Sequence, residues 1–182
     1  MHTDIDKVLL TADQISARVA ELGLELGRDY EDRSPLFIGV LRGAMMFLAD
    51  LIRTSRLPLE VDFMAVASYG SSTRSSGIVR ILKDLDEDIK DRHVILVEDV
   101  LDTGLTLNYL LKNLKTRQPY SIEVCALLVK KGKQKVSVEP KYKGFEIDDT
   151  FVVGYGLDYN ERYRNLPYIG TLKQGLYDEE YT

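Results

Sequence analysis

A single cysteine, Cys125, leaves the chain without an internal disulfide, so packing must hold the fold together, and the residue itself reads as a buried strand thiol. No apolar run approaches the roughly 20 residues of a membrane-spanning helix. The amino terminus, MHTDIDKVLLTADQ, carries acids and a three-residue apolar patch where a secretory signal has a basic start and a long apolar segment. The expected location is the cytosol. Proline-rich, glycine/serine-rich and single-residue tracts are missing, and no internal repeat is evident, which excludes long linkers and low-complexity segments. His2 and His93 lack metal-ligand spacing. A basic excess is missing too. A net charge of -5 argues against a general nucleic-acid binder, which needs broad phosphate neutralisation. It leaves room for a small polyanion held by a few local donors and a metal ion.

What remains is a globular composition. The 182 residues are 45% hydrophobic and 29% charged, enough for one domain over 1–182 with a substantial core. Thr11 and Gln14 have capping-box spacing, and Ile15, Val19, Leu22 and Leu26 follow at helical intervals, which predicts a helix over 12–26. LFIGV (36–40) predicts a buried strand, LRGAMMFLADLIR turns through Arg42 and Gly43 into a helix, and VDFMAVASY from Val61 returns to strand, completing a βαβ unit. GSSTRSSG (70–77) is polar and glycine-bounded, a mobile-loop candidate before a hairpin arm, IVRIL (78–82). HVILV, a helix over 104–114 and IEVCALLV (122–129) repeat the βα pattern. FEI (145–147) and FVVGYG (151–156) read as short strands. The expected fold is α/β: an open, mainly parallel sheet flanked by helices, with a small irregular edge region.

The informative string is HVILVEDVLDTGLTL, where an apolar run leads into Glu98, Asp99 and Asp102. Clustered carboxylates repel unless something positive lies among them. In open α/β sheets ligands bind beyond the carboxyl ends of the strands. There, Asp102-Thr103-Gly104-Leu105-Thr106 makes a glycine-containing turn into a helix start, with backbone N–H groups and two hydroxyls that suit a phosphate. The spacing is not that of a Walker loop. A phosphate cradle beside acids suited to hydroxyls and Mg²⁺ suggests a phosphorylated ribose. Alone, Glu98 and Asp99 could also be solvated acids on an ordinary βα turn, and Asp102 an acid at a helix N-terminus.

VILVEDVLDTGLTL resembles the 5-phosphoribosyl 1-pyrophosphate (PRPP) signature of the type I phosphoribosyltransferases, with Asp102 as in their hypoxanthine-guanine branch. VLRGA (40–44), SYG (68–70), LLVKK (127–131) and FVVGYGLDYNERYRNLPYIG (151–170) resemble the same branch in the same order, so the likeness covers most of the chain. It implies transfer of the phosphoribosyl group from PRPP to a 6-oxopurine, releasing pyrophosphate, with Mg²⁺ as cofactor and assembly as a homodimer or homotetramer.

The resemblance also implies roles. Glu98 and Asp99 would bind the ribose diol and, with Asp158, serve the metal; Thr103, Gly104, Leu105 and Thr106 would hold the 5'-phosphate. Arg42, where many relatives carry Lys, would grip pyrophosphate together with Gly43 and Arg164, and the peptide between Leu41 and Arg42 would be cis. Asp102 would exchange a proton with the base. Lys130 would donate to the 6-oxo group, which selects against adenine, whose amino group meets the ammonium donor to donor. Phe151 would stack on the base and the Val152 backbone would read its edge. Ser68 and Tyr69 would open a lid over the site. Read without the family, the alternative is a solvated turn residue for Arg42, a core aromatic for Phe151, an Asx turn for Asp158, and a solvated turn for the rest of KKGKQK. A preference for xanthine and guanine is the enzymatic alternative, and an RNA-binding regulatory relative with a basic face at KKGKQK is the non-enzymatic one. A dinucleotide-binding Rossmann module is excluded by the lack of GxGxxG after a strand.

Overall fold

The computed structural model describes residues 2–69 and 78–176. Strand β1 (Ile5–Leu10) leads directly into α1 (Ala12–Asp29). The start of this helix follows from its sequence: the Gln14 N–H donates to Thr11 Oγ1 at 3.2 Å, and the Thr11 N–H donates to Gln14 Oε1 at 2.9 Å. This reciprocal cap satisfies donors that a first helical turn leaves open. Ile15, Val19, Leu22 and Leu26 form its buried stripe as predicted, and the helix continues past residue 26 to Asp29.

The expected βαβ unit is β2 (Leu36–Leu41), α2 (Met45–Ser55) and β3 (Glu60–Tyr69). The hairpin arm is β4 (Ile78–Lys83), antiparallel to β3. β5 (His93–Leu101), α3 (Leu105–Lys115) and β6 (Ser121–Lys130) repeat the unit, and β7 (Tyr142–Ile147) forms the far edge. β8 (Ile169–Leu172) pairs antiparallel with β1 in a separate two-stranded sheet. The main sheet has the order β4-β3-β2-β5-β6-β7 and is parallel apart from β4. The mainly parallel α/β sheet with a small edge region is thus the observed architecture.

Helices cover both faces, so the central strands need apolar residues on both. Phe37, Ile95 and Cys125 pack with α1 and α2, while their chain neighbours Ile38, Leu96 and Ala126 pack with α3. Each such Ile or Phe contributes about 1.5–3 kcal/mol on burial. Burial also raises the ionisation of the Cys125 thiol well above its ordinary range, as suits an inert core group.

Two expectations are corrected. FVVGYG (151–156) is not a strand: Val153 bridges Gly170 and Gly154 bridges Leu157, each in isolation. Its backbone turns at Gly154, Tyr155 and Gly156, with φ of 103°, 49° and 102°, values incompatible with an extended run. Conversely, β1 and β8 are strands that the local pattern does not announce, because each is stabilised by the other across almost the whole chain. The expected lid begins at the end of β3, where the Ser68 and Tyr69 backbones pair with Val79 and Ile78; residues 70–77 lie outside the described residues. Among the described residues no helix is long and apolar enough to cross a membrane.

Candidate active site

Strand β2 is hydrogen-bonded to β3 on one side and β5 on the other, so successive βα units leave in opposite directions. The crevice beyond the carboxyl ends of β2 and β5 is therefore the switch point of the sheet, where α/β folds place ligands. The sequence-predicted residues on β2, β5 and β6 converge here: β2 leads into Arg42-Gly43, β5 carries Glu98 and Asp99 and leads into the loop from Asp102, and β6 ends at Lys130.

The acids do not follow the strand, as expected, but lie within it. Strand β5 continues to Leu101, with Glu98 opposite Ala126 of β6. That placement desolvates them. Glu98 Oε2 is buried and accepts no hydrogen bond, and its carboxyl is pushed well above the usual range, first by burial and then by the Asp99 charge. Burial likewise raises Asp99 to about 6, with Asp158 pushing further up and the Val100 N–H and Arg164 guanidinium pulling down. Two carboxylates that resist ionising side by side form a site for a cation or for hydroxyl donors.

The sign of the Asp99 shift gives a prediction. Asp99 holds its proton more tightly in the folded protein, at about 6, than in the unfolded chain, at about 4. The folded state therefore binds more protons in this window, and the contribution of Asp99 to stability falls as pH rises from about 4 to about 6. Asp99→Asn removes that slope. The ligand-free variant should melt higher than wild type near pH 7, and their difference should shrink towards pH 4. A gap in melting temperature that does not change with pH would contradict the shift.

The loop after β2 lies directly over these acids. Its Leu41–Arg42 peptide is cis, and a Cβ added to Gly43 would fall on the Asp99 carboxylate. The turn around Gly156 covers the loop in turn, since a Cβ there would meet the Gly43 carbonyl. Arg164 Nη1 donates to the Gly156 carbonyl at 2.8 Å, and its Nη2 lies 2.8 Å from Asp158 Oδ1 and 3.2 Å from Glu161 Oε2. Arg42 Nη1 donates to the same Glu161 oxygen at 2.7 Å. Both predicted cations thus meet around one anion, Glu161, which DYNERYR contained but which was not singled out. Asp158 Oδ2 accepts from the Glu161 N–H at 2.9 Å, three residues on and not the two of an Asx turn; its other oxygen holds Arg164.

On the far side, Gly104 adopts φ of 78° as the N-cap of α3, a left-handed turn that glycine enters at little cost. The first N–H groups of α3 have no intrahelical partners, and that of Leu105 donates to Thr103 Oγ1 at 3.4 Å. The Lys135 N–H donates to the Thr103 carbonyl at 2.9 Å, tying the lysine-rich turn to this loop. Asp102 Oδ1 is buried without a hydrogen bond, while Oδ2 lies 3.6 Å from Lys130 Nζ. Lys130 is buried and donates to Asp149 Oδ1 at 3.2 Å; Lys133 donates to that oxygen at 2.8 Å. Asp149 was missed because its local string, DDTF, looks like a solvated turn. Phe151 is half-buried, its ring edge-on to Tyr159 at 5.8 Å, and Val152 is in the core.

A glycine turn into a helix, a half-buried acid pair and a lysine–aspartate pair at one switch point fit the family that the sequence resembles. The family model for the phosphoribosyl transferase domain matches residues 8–160. The chain belongs to that family. Its phosphoribosyltransferase relatives include the hypoxanthine-guanine phosphoribosyltransferase of Mycobacterium avium, 57% identical over 97% of this chain and 90% of that protein. The protein of the same name from Bacillus subtilis is 51% identical over 98% of this chain and 99% of that one. Among solved structures, a hypoxanthine phosphoribosyltransferase from Staphylococcus aureus superposes with a TM-score of 0.94 at 46% identity, covering 98% of this chain and 97% of that one. The chain is therefore an enzyme of the hypoxanthine-guanine branch of the phosphoribosyltransferases, a purine-salvage activity.

Proposed function

We propose that the chain transfers the 5-phosphoribosyl group of PRPP to hypoxanthine, and to guanine, giving the nucleoside 5'-monophosphate and pyrophosphate with the help of Mg²⁺. The observation that carries this reading is the arrangement of Asp102 between the phosphate loop and Lys130. One carboxylate oxygen is buried without a hydrogen bond, and an ammonium lies 3.6 Å from the other.

In the reaction the bond from ribose C1' to pyrophosphate breaks and a bond from C1' to a ring nitrogen of the purine forms, with oxocarbenium-like charge developing on the ribose. The proton displaced from the purine imidazole needs an acceptor, and Asp102 Oδ1 offers one within reach of the sugar phosphate held by the N–H groups of residues 103–106. Lys130 supplies the donor for the 6-oxo group. Arg42 and Arg164 present forked donors for pyrophosphate, taking over from Glu161. The Arg42–Glu161 pair to be exchanged there is solvent-accessible and costs little to replace.

No group of three or more ligating side chains occurs among the described residues. This donor set fits Mg²⁺, which keeps most of its oxygens from water and substrate phosphates and takes one or two from protein carboxylates. Glu98, with its unsatisfied oxygen, and Asp99 would hold the ion and Asp158 its waters, and the ion would neutralise charge on the leaving pyrophosphate. Glu98 and Asp99 themselves orient the ribose hydroxyls.

Turnover measured with and without Mg²⁺, on PRPP with hypoxanthine, guanine and xanthine separately, tests the reading. Pyrophosphate release that needs both PRPP and the metal, with xanthine the poorest base, is expected; no PRPP-dependent product would end it. Lys130→Ala should raise KM for hypoxanthine far more than KM for PRPP, by about tenfold or more, as expected for one lost charged hydrogen bond. Equal losses for the two substrates would indicate general damage instead.

A further inference from the structure

The buried ammonium of Lys130 has more structure around it than a base contact requires. Its neighbours alternate in charge along a line: Asp102, Lys130, Asp149, Lys133. The shortest contact of Lys130 is the one to Asp149, 3.2 Å, against 3.6 Å to Asp102. Asp149 is in turn held at 2.8 Å by Lys133 on the same oxygen, Oδ1.

We infer that Asp149 is a positioning residue that fixes the Lys130 ammonium for recognition of the purine carbonyl, and so helps to set base selectivity. The inference rests on the reading of Lys130 given above. Lysine carries its charge on a flexible four-carbon stem, so an ammonium that must read one oxygen in one place needs an anchor. An ammonium has three donors. One is committed to Asp149, a second side faces Asp102, and the third is left for an acceptor in the crevice. A 6-oxopurine supplies that acceptor, whereas the amino group of adenine does not.

Two features suit Asp149 to this task. The Lys133 hydrogen bond, the largest influence, and the Lys130 hydrogen bond both hold its carboxyl below the usual range, so it stays anionic and keeps its hold on the lysine. Its backbone belongs to the short segment joining β7 to Phe151. That segment is fastened by the Lys131 N–H to the Ile147 carbonyl at 2.9 Å and by the Thr150 N–H to the Asp148 carbonyl at 2.8 Å. The anchor for the ammonium and the aromatic proposed to stack on the base therefore move as one piece.

Steady-state assays of wild type, D149N, K130A and the double variant, varying hypoxanthine and PRPP separately, test the inference. D149N should raise KM for hypoxanthine about tenfold and leave KM for PRPP within about twofold, since one charged anchor is lost and the phosphate sites are untouched. In the K130A background D149N should add nothing, because no ammonium is left to position. K133A, which removes the shorter hold on Asp149, should raise KM for hypoxanthine by less than D149N does and leave KM for PRPP within about twofold, and it carries the test should D149N not fold. An additive effect of D149N on K130A, equal losses for both substrates, or a K133A variant with wild-type KM for hypoxanthine would overturn the positioning role. A selective loss in K130A beside a wild-type D149N sinks this inference alone, whereas an unaffected K130A sinks the reading of Lys130 and this inference with it.

Discussion

Asp102→Asn is expected to bind PRPP as wild type does and to turn over about 10² to 10⁴ times more slowly. The amide occupies the space of the carboxylate, so the turn through Thr103 and Gly104 into α3 keeps its hydrogen bonds, including those from the Lys135 and Val136 N–H groups to the Thr103 carbonyl at 2.9 and 3.3 Å. What disappears is a group that can take up a proton at the buried, unsatisfied Oδ1 position. Lys130 loses one anionic neighbour but retains Asp149 at 3.2 Å, so its burial stays compensated and folding should be little affected. Titration of PRPP onto the variant, beside kcat with hypoxanthine, separates the two roles. Wild-type turnover would remove Asp102 from proton transfer, and a loss of PRPP affinity matching the loss of kcat would make it a phosphate-loop residue only.

The parts of this protein that were legible in its sequence are those whose cause is local. The capping box at Thr11, the buried stripe of α1 and the unalternating strands β2, β5 and β6 follow from short-range pattern. So does the glycine turn at the phosphate loop, whose chemistry needs only five consecutive residues. The arginines proposed for pyrophosphate and Lys130 are reached through family resemblance, since nothing in the strings VLRGA or LLVKK says which way a side chain points.

The misses are long-range. Glu161 matters because it meets Arg42, 119 positions away in the chain. Asp149 matters because it meets Lys130 across the β6–β7 edge, 19 positions apart. β1 exists because β8 returns to it. FVVGYG was read as a strand because its composition is that of a strand; its two glycines, at φ above 100°, were the signal that it is a turn.

Those glycines lead to a second large effect. Gly156→Ala is expected to destabilise the protein and to disable the PRPP end of the site together. Two causes add: an alanine at φ of 102° is strained, at about 1–3 kcal/mol, and its Cβ would collide with the Gly43 carbonyl oxygen, an overlap that costs about 1–3 kcal/mol more. The sum, about 2–6 kcal/mol, corresponds to a drop in melting temperature on the order of 5–20 °C for a chain of this size. The obstacle is backbone, so it cannot swing aside as a side chain would. Relief requires moving either the Arg42-Gly43 loop, which lies over Asp99, or the 154–157 turn, whose Gly156 N–H and carbonyl bond the Arg164 carbonyl and guanidinium at 2.9 and 2.8 Å. Either movement displaces a guanidinium proposed for pyrophosphate, and displacement by about 1 Å can cost about 100-fold in kcat/KM. Gly175→Ala is the control. Gly175 also has positive φ, 85°, but no atom of the described residues lies within 4 Å of its added Cβ, so it should carry the backbone strain alone and leave PRPP kinetics at wild type. Melting curves and kcat/KM for PRPP on both variants decide the matter: a Gly156 variant no worse than the Gly175 variant in either measurement would show that the contact between Gly43 and Gly156 does not hold the Arg42-Gly43 loop in place.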